Sequence, residues 1–242
     1  MAAPNTGVQS QRNTQMSAMT IIIIAVAVVV VVVILVAALL VPAVLSNTQI
    51  GSGHLVTQQE NYTGFTAVSL GYGFRFTIVQ SSTYSVNLTI DDNLVNNVRF
   101  SQSGNTLSVG LAPGHLYLST SAQVRITMPD LTQLDISGGS SGTAMGFTSS
   151  HGFAATASGG SSMTIRGAAS DISIDGSGGS RLDLSGFKVT NAQVDLSGGS
   201  GATIDLNGTL DATLSGGSNL SYIGNPTLGN INTSGFSTIT KK

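Results

Sequence analysis

Ile172-Ser173-Ile174-Asp175-Gly176-Ser177-Gly178-Gly179-Ser180-Arg181-Leu182-Asp183-Leu184 holds the pattern that decides the fold. Apolar residues stand two apart on both sides of a Ser-Gly-Gly-Ser phrase, separated by Ser, Asp or Arg. A spacing of two puts alternate side chains on one face of a strand, so each flank reads as a strand with one face buried. The paired glycines supply the unusual dihedrals of a tight corner. Ser-Gly-Gly-Ser begins at Ser137, Ser158, Ser177, Ser197 and Ser215, with a degenerate Ser234-Gly235-Phe236 after them, in steps of 21, 19, 20, 18 and 19 residues. A period near 20 predicts a solenoid in which each repeat is one coil and its neighbours complete its core.

Outward from the phrase, the apolar register holds across all five repeats. Leu134, Ala155, Ile174, Val194 and Ala212 stand three residues before each serine, and Ile136, Ala157, Gly176, Leu196 and Leu214 one before. Ala144, Ile165, Leu184, Ile204 and Tyr222 stand seven after. Stacked coils would pair each strand with its counterpart roughly 4.8 Å away. Gly146, Gly167, Gly186 and Gly224, nine residues after the serine, predict a second corner; Leu206 breaks that series and Asn207-Gly208 follows slightly late. A helix fails here because each Gly costs about 1 kcal/mol against Ala. Disorder, the usual reading of Ser/Gly-rich sequence, does not account for a held register. The expected fold is all-β, a parallel β-helix with coils of about 20 residues.

Before the repeats, Phe74–Val79, Tyr84–Ile90 and Gln123–Met128 alternate as strands, broken by Asp91-Asp92-Asn93 and Ser103-Gly104-Asn105. They are expected as first coils or as a cap over the solenoid's end, where open core and edge would otherwise be exposed. Residues 65–240 thus form the solenoid domain, and the polar segment 46–64, with Gly51-Ser52-Gly53 inside it, a flexible stalk.

Ile21 to Leu45 is a run of 25 residues without a charge. As a helix it would span about 37 Å, more than the ~30 Å hydrocarbon core of a bilayer. Its Ile and Val content would favour a strand in water, but in lipid a single segment satisfies its backbone only as a helix. The rival reading is a cleaved signal peptide processed near Val41-Pro42-Ala43. Against it stand the length of the apolar run and the polar lead-in 1–20. Arg12 is the one charge before the span and the next is Glu60. The positive-inside bias therefore places residues 1–20 in the cytoplasm and the C-terminal domain outside.

Only 8% of residues are charged and the net charge is −2, which gives no electrostatic reason to expect nucleic acid as a partner. With no Cys, thiolate metal sites, cysteine nucleophiles and disulfides are excluded together.

Met128-Pro129-Asp130-Leu131-Thr132-Gln133-Leu134-Asp135-Ile136-Ser137-Gly138, followed by the repeated Ser-Gly phrases, resembles the putative auto-transporter adhesin head GIN domain family. Tyr222-Ile223-Gly224-Asn225-Pro226 is similar to that family's closing signature, and the run Phe74 to Leu111 to its upstream layout. The resemblance extends from about Phe65 to Thr240. It implies a β-helix at the cell surface with a role in adhesion and no catalytic residues to carry over. A secretory signal is common in the family, so the long uncleaved span is a departure.

Asp135, Asp175 and Asp195 share the place two before the serine, where stacked carboxylates would offer Ca²⁺ its oxygen ligands. Thr156 and Thr213 interrupt the row, and solvent-facing charge is the expected role. A polysaccharide-cleaving enzyme needs a carboxylate cluster or a basic residue. The repeats offer Arg166, Arg181 and Lys188 as cations and no Glu, and the Ser and Gly around Asp175 and Asp195 present no apolar pocket to raise a pKa. His115 and His151 have no acid or Cys at ligand spacing and read as loop histidines. No catalytic, cofactor or metal residues are therefore assigned. Asn61, Asn87, Asn207, Asn219 and Asn232 stand in glycosylation sequons, frequent by chance in so Ser- and Thr-rich a chain. The sequence reads as a non-catalytic, membrane-anchored surface module binding a glycan or protein. A self-associating envelope or filament subunit is the alternative, and a glycan-active enzyme the third.

Overall fold

The computed structural model describes residues 29–36 and 47–242. They fall into two units divided between Thr48 and Gln49. In the first, residues 29–36 are helical with exposed side chains. They are part of the expected span Ile21–Leu45; its remainder and the segment 1–20 lie outside the described residues. Among the described residues no helix is long and apolar enough to cross a membrane.

The second unit is built of strands. The first are β1 (Thr48–Ile50), β2 (Leu55–Glu60), β3 (Ala67–Leu70), β4 (Arg75–Gln80), β5 (Ser85–Asp91), β6 (Val98–Ser103), β7 (Thr106–Leu111), β8 (Leu116–Leu118) and β9 (Ala122–Met128). The repeats supply β10 (Gln133–Ile136), β11 (Ser141–Thr148), β12 (Phe153–Ala157), β13 (Ser162–Ala168), β14 (Asp171–Gly176) and β15 (Arg181–Val189). They continue with β16 (Asn191–Leu196), β17 (Gly201–Leu206), β18 (Thr209–Leu214), β19 (Asn219–Ile223), β20 (Thr227–Thr233) and β21 (Thr238–Lys241). Each strand before a corner joins a nine-stranded sheet, β20-β18-β16-β14-β12-β10-β3-β7-β6. Each strand after it joins a ten-stranded sheet, β2-β5-β9-β4-β11-β13-β15-β17-β19-β21.

Within the repeats every pairing is parallel, one coil to the next, as a β-solenoid requires. Leu134 pairs with Ala155, Ala155 with Ile174, Ile174 with Val194 and Val194 with Ala212, so the residues aligned by the phrase form one ladder. All five are buried, as are Ile136, Ala157, Leu196 and Leu214 in the next ladder. These and their counterparts in the other sheet form a single apolar core from Phe65 to Leu220. At about 1.5–3 kcal/mol for each fully buried aliphatic side chain, that core is the main force holding the coils together.

The first serine of each phrase continues the ladder around the corner: Ser197 N donates to Gly176 O at 2.8 Å and Ser215 N to Leu196 O at 2.9 Å. The second serine turns inward. Ser140, Ser161, Ser180, Ser200 and Ser218 are all buried, and four of them donate their hydroxyl to the carbonyl three residues back, at 2.7–2.9 Å. A buried hydroxyl needs such a partner, and the tight turn brings one within reach.

One further coil lacks the phrase. β3 and β4 pair with β10 and β11, and Gly71-Tyr72-Gly73-Phe74 makes their corner. Tyr72 stands where the repeats have glycine, with φ at +61°, and Phe74 fills the place of the buried serine.

The structure corrects two expectations. Gly146, Gly167 and Gly186 lie inside β11, β13 and β15, next to register shifts, so they mark β-bulges that bend a continuing strand. The chain returns later, at 169–170, Thr190 and Asn207-Gly208, while Gly224 alone of the series closes a strand. Secondly, the described residues 47–64 of the expected stalk are held in place rather than loose. β2 runs antiparallel to β5, and Gly53 N donates to the Asp91 carboxylate at 2.8 Å. Ser121 N donates to its other oxygen at 2.8 Å. Asp91 is 1% exposed, and a buried charge needs such donors, so Gly51-Ser52-Gly53 is held against it. The antiparallel β2, β5 and β9 and the β6–β7 hairpin close the N-terminal end of both sheets.

Candidate functional site

Two flat outer faces are the surfaces on which the solenoid can present chemistry, because alternation sends every second residue of each strand outward. On the nine-stranded sheet, strand pairing aligns Asp135, Thr156, Asp175, Asp195 and Thr213 in one row. Beside it run Ala154, Ser173, Gln193 and Asp211, and then Asp171 with Asn191. Two side chains and one backbone N–H engage three of the acids. Gln133 donates to Asp135 and Asn191 to Asp171, each at 2.8 Å, and Asn230 N donates to Asp211 at 2.6 Å. A shallow depression of about 460 Å³ crosses these rungs between Phe153 and Asp211, floored by Ser173 and Gln193.

Asp175 and Asp195 have no hydrogen-bond partner among the described residues and sit opposite one another on β14 and β16. Burial first, then the charges of Asp195 and Asp135, push the Asp175 carboxyl above its ordinary value. This corrects the expectation that Ser and Gly neighbours leave its pKa alone. In the stack the desolvation comes from the rungs on either side, which linear neighbours do not reveal. Among the described residues no three His, Cys, Asp or Glu side chains gather as a metal site would need.

Arg166 and Asp183, on adjacent coils of the other sheet, form an ion pair at 2.8 Å. The guanidinium, with help from the Ser185 hydroxyl and N–H, holds the Asp183 carboxyl down at about 2. His151 also gains a partner that spacing does not disclose: its Nε2 lies 2.8 Å from Asp130, 21 residues earlier and one coil away. Its Nδ1 lies 3.0 Å from Gly152 O. With acceptors on both sides the ring binds best when doubly protonated, and the Gly152 carbonyl and then Asp130 raise its pKa. Both nitrogens are thereby occupied, which leaves neither to activate a serine.

The outer face of the ten-stranded sheet differs in sign. Thr77, Thr143, Thr164, Asp183, Thr203 and Ser221 align in one row, and Arg75, Ser141, Ser162 and Arg181 in the next. At its N-terminal end, Arg75, Thr77, Asn87, Thr89, Gln123 and Arg125 surround a basin of about 510 Å³. Sequence reading missed this basin because Arg75 and Arg125 lie outside the phrase-bearing repeats, and only the pairing of β4 with β9 brings them together.

Residues 64–226 match the family described as "Putative auto-transporter adhesin, head GIN domain". The chain belongs to that family. The head GIN domain covers the first coil, the strands β5 to β9 and all five phrase-bearing coils, and ends at Pro226, the last residue of the expected closing signature; β2 precedes it. Among solved structures, a putative adhesin of Bacteroides fragilis shares its fold at a TM-score of 0.67, with 16% identity, over 80% of this chain and 100% of that one. A putative adhesin of Parabacteroides merdae is similar at a TM-score of 0.49 and 19% identity, over 81% of this chain and 99% of that one. No curated protein matches the chain in sequence.

Proposed function

We propose that this head GIN domain is a non-catalytic binding module displayed outside the cell, carried on the apolar span Ile21–Leu45 with residues 1–20 in the cytoplasm. The observation that carries the reading is the pair of long, polar, evenly laddered outer faces on a single core. Such faces present one contact repeated at each rung, which suits an extended glycan or protein partner. The family's description as an adhesin and the fold shared with the Bacteroides fragilis adhesin support the same reading. Protease shaving of intact cells, followed by a comparison of how cells with and without the chain adhere to envelope preparations, tests it. Loss of the domain on shaving and stronger retention of chain-bearing cells are expected. A protected domain, or equal retention, overturns it.

Self-association into an envelope or filament layer is the second reading. It is favoured by the C-terminal end, where β20 and β21 are the outer strands of both sheets and Phe236 is 93% exposed. Unpaired strand edges are ready templates for another chain. Assembly that grows with protein concentration would select it.

A further inference from the structure

We propose that the outer face of the ten-stranded sheet, around Arg75 and Arg125, binds an anionic polysaccharide, one carrying carboxylate or sulfate groups. This site rests on the binding-module reading above and adds to it the face and the ligand's chemistry.

Arg75 and Arg125 are exposed on adjacent strands, Arg75 opposite Gln123 and Arg125 opposite Thr77. Neither guanidinium has a hydrogen-bond or ion-pair partner among the described residues, whereas Arg166 is bound by Asp183 and Arg99 by the carbonyls of Asn96 and Val98. The strands around the basin, β2, β5, β9, β4 and β11, carry two acids. Glu60 pairs opposite Val86, a core residue, and so points to the inner side; Asp91 is buried and bound by backbone N–H groups. Nothing of opposite sign therefore competes for the two guanidinium forks, whose planar geometry suits carboxylate and sulfate.

Five acids, Asp135, Asp171, Asp175, Asp195 and Asp211, lie on the strands of the other sheet, where the one cation is Arg99 on the far strand β6; beyond the basin the ten-stranded sheet carries Asp183, bound to Arg166, and Asp205, in register with Lys188. An anionic chain is thus drawn to one face and repelled by the other. Arg181 continues the row of Arg75 three strands further on, at roughly 14 Å, with Ser141 and Ser162 between them. That spacing fits a polymer better than a lone anion. The intervening hydroxyls, and the amides of Asn87 and Gln123, match the hydroxyls of a sugar chain. Single-stranded nucleic acid would call for aromatic platforms between the cations, and an anionic membrane for a cluster of about four to eight basic residues.

The full-length chain in detergent is applied to immobilised polygalacturonate, with neutral dextran as reference, at low and at near-physiological salt. Binding to polygalacturonate alone, weakened by salt, is expected. Arg75→Gln with Arg125→Gln should lower affinity roughly tenfold. Arg75→Lys with Arg125→Lys should recover part of it, and Asp171→Asn with Asp211→Asn should not weaken it. Both arginines are exposed and unpaired, so unchanged circular dichroism and melting are expected of the Gln variant. Equal binding to dextran, unchanged affinity in the Gln variant, or stronger binding to anionic vesicles or duplex DNA overturns the site. If chain-bearing cells adhere but the protein ignores polygalacturonate, the site falls while the binding-module reading stands. If the protein binds polygalacturonate but the cells gain no adhesion, that broader reading falls instead.

Discussion

Ser180 and Ser200 hold the same place in successive coils, both buried, yet only one is satisfied. Ser200 Oγ donates to Ser197 O at 2.9 Å, while Ser180 Oγ has no hydrogen-bond partner among the described residues. Ser200→Ala should cost about 1 kcal/mol in chemical denaturation, and Ser180→Ala should be neutral or slightly stabilising, because an unpartnered buried hydroxyl contributes only its desolvation penalty. The carboxylates give a second contrast, of sign. Asp183 is held down at about 2, so its contribution is present above the ordinary carboxyl range and lost as pH falls through about 2. With its side chain 38% exposed the effect is small, and Asp183→Asn should lower the melting temperature slightly at neutral pH and converge on the wild type in strong acid. Asp175 is shifted upward, so the folded state loses stability as pH rises through its pKa. Asp175→Asn should therefore raise the melting temperature at neutral pH, and the gain should vanish below the carboxyl range.

At the scale of the element, the corner shows why its glycines are not equivalent. Gly216 has φ at +77°, and a Cβ there would stand 2.5 Å from Gly198 O in the coil beneath. Gly179 is free of both constraints, with no heavy atom within 4 Å of an added Cβ and no positive φ. Gly216→Ala should destabilise by about 2 kcal/mol or more, from left-handed backbone cost and crowding together. Gly179→Ala should be tolerated or stabilise by up to about 1 kcal/mol through the unfolded chain's lost entropy. Thermal melts of the two variants separate these outcomes. The corner's phrase was legible because five copies repeat it. The coil of β3 and β4 was less so, since Tyr72 and Phe74 replace its Gly and Ser and only pairing with β10 and β11 identifies it. The bulges were misread as corners because glycine serves a kink within a strand as well as a turn between two: Gly146 and Gly167 take positive φ inside their strands, while Gly186 lacks it and makes room for the Arg166 side chain.

For the whole molecule, each coil touches mainly its neighbours, so stability is close to a sum over coils. Deleting Ser177 to Leu196 removes one full coil and joins Gly176 to Ser197, which restores the phrase and the register. That variant should keep a β-type circular dichroism spectrum and melt cooperatively, about several degrees lower. Deleting residues 177–186, half a coil, would place the following strands on the wrong sheet and should unfold the domain. The ends are unlike: hairpins close the N-terminal one, while β20 and β21 leave theirs open. The two faces are unlike as well, acidic on one sheet and basic on the other.

Side-chain periodicity is a property of the chain itself, and it was enough to determine strands, the Ser-Gly-Gly-Ser corner, the length of a coil and the inward ladders, because a spacing of two repeated with a period near 20 packs as stacked coils. Proximity between coils is not written in linear order. The Asp130–His151 contact, the buried Asp91 holding Gly51 to Gly53, the raised pKa of Asp175 and the convergence of Arg75 with Arg125 exist only once strands far apart in the chain lie side by side. The physical reason is that electrostatics and hydrogen bonding act across distances of a few ångströms in space, and the folded stack alone decides which residues come that close.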